Sequence, residues 1–185
     1  KQVLHTWPQW FGSLVILIHR FYRGWERHEA HSVQFDRDVF NMWRKPHLHF
    51  TKDENNAGRR LLHNLGIPRS SRWVCLIVRD SEYLKDKGDF NYHDYRDADI
   101  NDYMLAATAL AESGRYVLRM GSRVAKPLPK GHPRIIDYAS SKFRSEFGDL
   151  YLGAKCEFCI GTSTGFMAIP QVFKRSCAVT DFVPI

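Results

Sequence analysis

Long apolar runs are missing from this 185-residue chain: Leu14–Ile18 within FGSLVILIHRFY is stopped by His19 and Arg20, and Trp73–Val78 by Arg79. A membrane-crossing helix needs roughly 20 consecutive apolar residues, so neither such a helix nor a signal-peptide pattern is expected. Cysteine is scarce, with four residues at 75, 156, 159 and 177. Three of them sit in apolar runs (VCLIV, FCIG, SCAV), which predicts reduced thiols in a core rather than a disulfide framework, and hence a cytoplasmic setting. Cys156 and Cys159 make one C-x-x-C, but no second pair completes a tetrahedral zinc site. His47 and His49 in PHLHF likewise lack a third ligand. No metal is expected.

Signature loops are absent too. The sequence contains no G-x-G-x-x-G and no G-x-x-x-x-G-K-[ST], which disfavours a dinucleotide oxidoreductase and a P-loop NTPase. Within residues 73–185 a D-x-D pair of the kind that holds a metal beside a sugar nucleotide occurs only as Asp97-Ala-Asp99, where Asp99 heads a helical run. Metal-independent chemistry follows as the expectation.

What is present can build a core: 44% of residues are hydrophobic and 14% aromatic. The net charge of +7 is unevenly spread, with 12 Lys/Arg against 6 Asp/Glu in residues 1–72 and 15 against 14 in residues 73–185. Trp7, Trp10, Phe11, Phe21, Tyr22 and Trp25 punctuate the basic portion. That mixture fits either a solvated helix face or peripheral contact with anionic headgroups or an anionic glycan. Nucleic acid is not an expected partner, since no recognition-helix, zinc-finger or RNP-type pattern accompanies the charge. Residues 1–70 read as a mainly helical, basic segment. The start on Lys1 and the abrupt apolar end predict a piece of a longer chain.

Thr51-Lys-Asp-Glu54 is a capping box that opens a helix through Leu61, Leu62 and Leu65, closed by Gly66 and Pro68. Charge, periodicity and turn content change near residues 66–72, which marks a domain boundary there. Beyond it, short apolar runs alternate with amphipathic stretches, the mark of βα units around a parallel sheet. Strands are expected at Trp73–Val78, Tyr116–Met120, Ile135–Tyr138, Cys156–Ile160 and Ser176–Thr180. Helices are expected after Asp99, ending at Gly114, and over most of Ser140–Ala154. The fold class is therefore α/β, a Rossmann-like parallel sheet flanked by helices and preceded by the helical basic segment.

In such a sheet ligands bind at the carboxyl ends of strands. Two features belong there. Gly161-Thr162-Ser163-Thr164-Gly165 follows an apolar run, and small residues with hydroxyls let main-chain N–H groups approach a phosphate; an ordinary strand-to-helix turn explains the same residues. Pro170, soon after, should kink or delay the following helix. Arg79 directly follows WVCLIV, where its planar fork can grip a diphosphate, although a surface pair with Asp80 or Glu82 would account for it equally. Arg119 within YVLRMG needs a carboxylate or phosphate partner if buried, and Asp137 competes with a ligand for that role. In the loop N91–D97, His93 is the candidate general base, with Tyr95 and Arg96 as neighbouring loop candidates.

The ordered run CLIVRDSEY, HDYRDADINDYMLAATALAESGRYVLRMG and IIDYASSKFRSEFGDLYLGAKCEFCIGTSTGFMAIPQVF resembles a family of bacterial glycosyltransferases associated with surface-polysaccharide synthesis. It is more distantly similar to GT-B fucosyltransferases, which carry a strand ending in arginine and a later hydroxyl-rich turn. The resemblance implies that residues 71–185 are the nucleotide-sugar-binding half of a GT-B enzyme, incomplete at its C-terminus. It places the donor diphosphate on Arg79 and on Ser163 or Thr164, and the nucleotide base near Asp149. Ile77 stands where the fucosyltransferases have a histidine, and the turn lacks their paired serines, so a GDP-sugar is only one candidate donor. No further cofactor is implied. The acceptor would be a glycan or lipid-linked sugar, and the setting the cytoplasm or the inner face of the membrane. A sugar-nucleotide enzyme such as an epimerase, and a non-catalytic glycan-binding or scaffolding homologue, are the alternatives.

Overall fold

Alternation of apolar side chains decides which way each strand faces. The computed structural model describes residues 46–83, 95–129 and 131–181. Five strands, β1 (Trp73–Ile77), β2 (Tyr116–Met120), β3 (Ile135–Asp137), β4 (Phe158–Thr162) and β5 (Ser176–Thr180), form one sheet in the order β3-β2-β1-β4-β5. Every pairing is parallel. Central β1 is buried along its whole length, as expected of a strand covered on both faces.

Odd and even positions of β1 enter different cores. Trp73, Cys75 and Ile77 join Leu118, Met120, Leu152 and Cys159 on one face, whereas Leu76 and Val78 join Val117, Ile100, Tyr103 and Ala107 on the other. Helix α1 (Lys52–Asn64), α3 (Glu146–Lys155) and the short α4 (Ala168–Val172) serve the first face. Helix α2 (Met104–Glu112), entered through a 3-10 turn at Ile100–Tyr103, covers the second. The sheet is thus wound both ways from β1, in the α/β Rossmann-like arrangement that the texture of residues 73–180 predicts.

Local signals fix most boundaries. Thr51 Oγ1 accepts from the Glu54 amide at 3.3 Å while Glu54 returns a carboxylate to the Thr51 amide at 2.7 Å, completing the capping box. Asp99 Oδ1 accepts from Asn101 N at 2.9 Å and starts the turn that leads into α2. The four cysteines are free thiols, three of them buried. Cys75, Cys159 and Cys177 occupy matched positions on β1, β4 and β5, and burial raises the Cys75 and Cys159 thiols well above their ordinary range.

Three expectations shift, and one, the delay of the helix at Pro170, holds. Helix α3 begins at Glu146, not near Ser140, because Ser145 caps it through Gly148 N at 3.0 Å and Tyr138 Oη, bonded to both N and O of Ser145, anchors the preceding turn. Gly148 makes that anchor fit: a Cβ there would lie 2.0 Å from Tyr138 Oη. Strand β4 starts two residues late, since Cys156 still closes α3 and bonds back to Leu152 O. Pro170 sits inside α4, but early enough that its missing N–H falls among the donors a helix leaves unpaired; a 3-10 turn at Gly165–Met167 takes up the delay. Finally, α1 belongs with the sheet: Leu62 and Ile67 lie in its core, and the compact unit runs over Lys45–Ile185 rather than starting near residue 71. The basic aromatic-rich segment lies outside the described residues. Among the described residues no helix is long and apolar enough to cross a membrane.

Candidate functional site

Reversal of winding direction leaves a gap above the sheet. Chain leaving β1 goes to α2 and β2 on one side, and chain leaving β4 goes to α4 and β5 on the other, so the carboxyl ends of β1 and β4 have diverging connections. A crevice at this switch point is the ordinary ligand position of such sheets. Here it measures about 470 Å³ and is lined by Arg79 and Asp80 after β1, Gly121–Val124 after β2, Arg144 and Asp149 around the start of α3, and Thr164–Phe166 after β4. That volume falls within the ~300–1,000 Å³ range typical of small-molecule sites.

Close approach of β1 and β4 at this point requires Gly161. Its φ is +146°, and a Cβ would lie 1.7 Å from Ile77 O. The glycine therefore acts on the strand backbones and does not line the crevice. Thr162 is also structural: it is buried, and its Oγ1 accepts from Arg79 N at 2.8 Å. Ser163 offers its carbonyl to Arg96 Nη2 at 3.1 Å. Thr164 and Gly165 are the members of the turn that face the crevice. The expected Gly161–Gly165 phosphate turn thus divides into two strand residues, one clasped residue and two lining residues.

Arg79 is held where the sequence puts it. Its Nε donates to Asp97 Oδ1 at 3.0 Å, and Asp97 belongs to a segment whose Ala98 amide bonds to Arg79 O. One donor is left over: Arg79 Nη2 is buried without a partner. Both aspartates of the D-x-D pair are engaged, Asp97 by Arg79 and Asp99 by Asn101 N and by Lys126 Nζ at 3.3 Å. Among the described residues no group of three or more His, Cys, Asp or Glu is arranged to hold a metal ion.

Asp149 also lines the crevice, paired with Arg144 Nη2 at 2.5 Å. Burial raises the Asp149 carboxyl above its ordinary range, against the lowering effect of Arg144. Arg144 Nε and Asp149 Oδ1 are each buried without a partner, as is Thr164 Oγ1. Four of the six unpartnered buried side-chain atoms among the described residues thus belong to residues lining one crevice. Leaving such an atom unmade costs about 1–3 kcal/mol, which makes their concentration in one place informative.

Other candidates fall elsewhere. Arg119 is 2% exposed on the α2 side of the sheet, with Nη1 bonded to Lys126 O at 2.5 Å and carboxylates of Asp137 and Asp80 at 3.6 and 3.8 Å. It lines a separate, smaller crevice. Tyr95 is half exposed and lines neither. His93 lies outside the described residues.

Arg144 is the lining residue that reading the sequence missed. Expecting helix over most of Ser140–Ala154 placed it inside that helix, although Ser145 three residues before Gly148 carries the N-cap signal that returns Arg144 to the loop after β3. The Gly121–Val124 wall has no local motif at all and comes into view only with the strand order. No family model, curated protein or solved structure matches this chain.

Proposed function

We propose that the larger crevice binds the diphosphate of a nucleotide sugar, and that the chain is the donor-binding part of a glycosyltransferase acting on a glycan or lipid-linked acceptor. The observation that carries this reading is the gathering of Arg79 Nη2, Arg144 Nε, Thr164 Oγ1 and Asp149 Oδ1, all buried and unpartnered, around one opening at the sheet's carboxyl edge. Two guanidinium donors and a hydroxyl suit phosphate oxygens. A carboxylate acceptor beside them suits an N–H or O–H of a nucleoside and would repel a bare inorganic anion.

Chemically, transfer breaks the bond between the sugar's anomeric carbon and the diphosphate oxygen, so negative charge grows on the leaving group. Arg79 and Thr164, fixed before the reaction by β1 and β4, would stabilise that charge without reorganising. The resemblance of residues 73–185 to bacterial surface-polysaccharide glycosyltransferases supports the same assignment and supplies its biological setting, the cytoplasmic side of the membrane.

A thermal-shift panel of GDP, UDP, CMP and dTDP tests the reading. A nucleotide present at 100 times its dissociation constant adds ~2.7 kcal/mol, which corresponds to a melting-temperature rise of about 5–10 °C for a protein of this size. Arg79→Ala should weaken binding of the same nucleotide by about 10–100-fold, the worth of a charge-assisted hydrogen bond. A panel with no shift, or an alanine variant with unchanged affinity, overturns the placement.

A further inference from the structure

Across β1 from the diphosphate crevice lies the smaller one, on the α2 side of the sheet. It measures about 240 Å³ and is lined by Val78, Asp80, Asp97, Ala98, Asp99, Ile100, Arg119, Ala125 and Lys126. That is less than the ~300 Å³ at which pockets for drug-sized ligands begin, so its occupant is a single ring or a group of similar bulk. Val78 and Asp80 line both crevices, and a ligand lying over the end of β1 can therefore reach from one to the other.

Each carboxylate lining the smaller crevice already meets a cation. Asp97 is held by Arg79 at 3.0 Å, Asp99 by Lys126 at 3.3 Å, and Asp80 faces Arg119 at 3.8 Å. An ionic ligand would have to break one of these pairs and leave a charge uncompensated. Hydrogen-bonding capacity is nonetheless in surplus. Arg119, almost fully buried at the base, has an Nε–H without a partner, and each carboxylate has lone pairs beyond the bond it accepts. Neutral hydroxyl groups match this environment, because each one donates and accepts without adding charge. Val78, Ala98, Ile100 and Ala125 give the apolar patches against which a ring's C–H faces pack.

We propose that this crevice holds a monosaccharide unit, the glycosyl group of the donor whose diphosphate occupies the larger crevice. The proposal rests on the nucleotide-sugar reading above and adds where the sugar sits and which residues grip it. Asp80 forms the divide: its Oδ1 accepts from Glu82 N and its Oδ2 from Ala125 N, which ties the 121–126 loop to the end of β1 and keeps the two crevices separate but adjoining. Asp99 and Lys126, the exposed pair at the rim, contact sugar hydroxyls; Arg119 donates from the base.

Titration calorimetry with GDP, UDP, GDP-mannose, UDP-glucose and UDP-N-acetylglucosamine tests it, on wild type and on Asp99→Asn and Lys126→Ala. Both substitutions lie at the rim, and asparagine keeps the capping oxygen that starts α2. In wild type, at least one nucleotide sugar should bind about tenfold more tightly than its parent nucleotide. Each variant should lose about 3–10-fold for that nucleotide sugar while its affinity for the parent nucleotide stays within twofold. Equal wild-type affinities for nucleotide and nucleotide sugar, or variants that weaken both alike, overturn the sugar placement and leave the diphosphate site standing. If no nucleotide binds, both readings fall together.

Discussion

Arginines at the two edges of one sheet behave in opposite ways. At the amino edge, Arg115 grips Glu157 with Nε at 3.0 Å and Nη2 at 3.1 Å, its Nη1 bonds Ser113 at 2.8 Å, and Arg72 adds a weaker contact at 3.5 Å. At the carboxyl edge, Arg79 and Arg144 each meet one carboxylate and keep a buried N–H unmade. Same residue type and same sheet, yet one edge is satisfied by the protein and the other is not. Satisfaction at one edge is what stability alone produces. Its shortfall at the other is the local inconsistency expected where a binding site has been kept at some cost in stability.

The largest effect should come from the residue that lets the carboxyl edge exist. Gly161→Ala would drive a Cβ to 1.7 Å from Ile77 O at a φ of +146°. Backbone strain and a clash with backbone act together there, so a loss of about 4 kcal/mol or more is expected. Urea unfolding measures it, and a variant within 1 kcal/mol of wild type would show that β1 and β4 do not need this close approach. Gly58 is the comparison: in the middle of α1, its Cβ would lie 2.1 Å from the buried Tyr151 ring without any left-handed φ, so Gly58→Ala carries a side-chain clash but no backbone strain.

Thr164→Val sharpens the comparison most directly, because stability and binding should move in opposite directions. The hydroxyl is buried and unpartnered, so an isosteric methyl removes a desolvation cost and should stabilise the free protein by about 1 kcal/mol. Nucleotide affinity should fall about tenfold over the same substitution. A paired hydroxyl gives the reverse result for stability: Thr162→Val, which strips Arg79 N of its acceptor, should destabilise. If Thr164→Val destabilises as well, the unpartnered hydroxyl is not a cost the fold is carrying for a ligand.

These contrasts also mark what the sequence could reveal. Strand positions, the Thr51–Glu54 capping box, the Asp99 cap and the place of Arg79 at a strand end were legible, since each depends on neighbours in the chain. Arg119 was legible as a need for a carboxylate, and Asp137 does supply one. Whether the hydroxyls of residues 162–164 face a ligand or the fold was not legible, because Thr162 meets a residue 83 positions away and Thr164 meets none. Arg144 was hidden for a related reason. Its importance comes from the strand order, which sets β3's following loop beside the ends of β1 and β4, and from a helix start fixed by Tyr138 rather than by local periodicity.

The edges should also titrate in opposite senses, which gives the smallest effect but a clean sign. Glu157 is held below its ordinary range by the Arg115 hydrogen bond, so its folded-state value lies under the unfolded one. It therefore contributes stability above the normal glutamate range, about pH 4.3, and that contribution is lost as pH falls through the lowered folded value. Asp149 is raised by burial, so the folded state binds its proton more tightly than the unfolded chain does. Its ionisation consequently costs stability as pH rises from the ordinary aspartate value, about 3.9, through the raised folded value, and the cost persists above it. Asp149→Asn should flatten that decline, whereas Glu157→Gln should remove the gain at the other edge and leave nucleotide binding untouched. Urea midpoints between pH 3 and 7 for wild type and the two variants measure both. Salt separates them further: the Glu157 pair, about a quarter exposed, should weaken with ionic strength, while the burial effect on Asp149 should not. Variants whose pH profiles change in the same direction would mean that the two edges differ in exposure alone, and that the unmade bonds around the crevice are an ordinary imperfection of packing rather than a place kept open for a ligand.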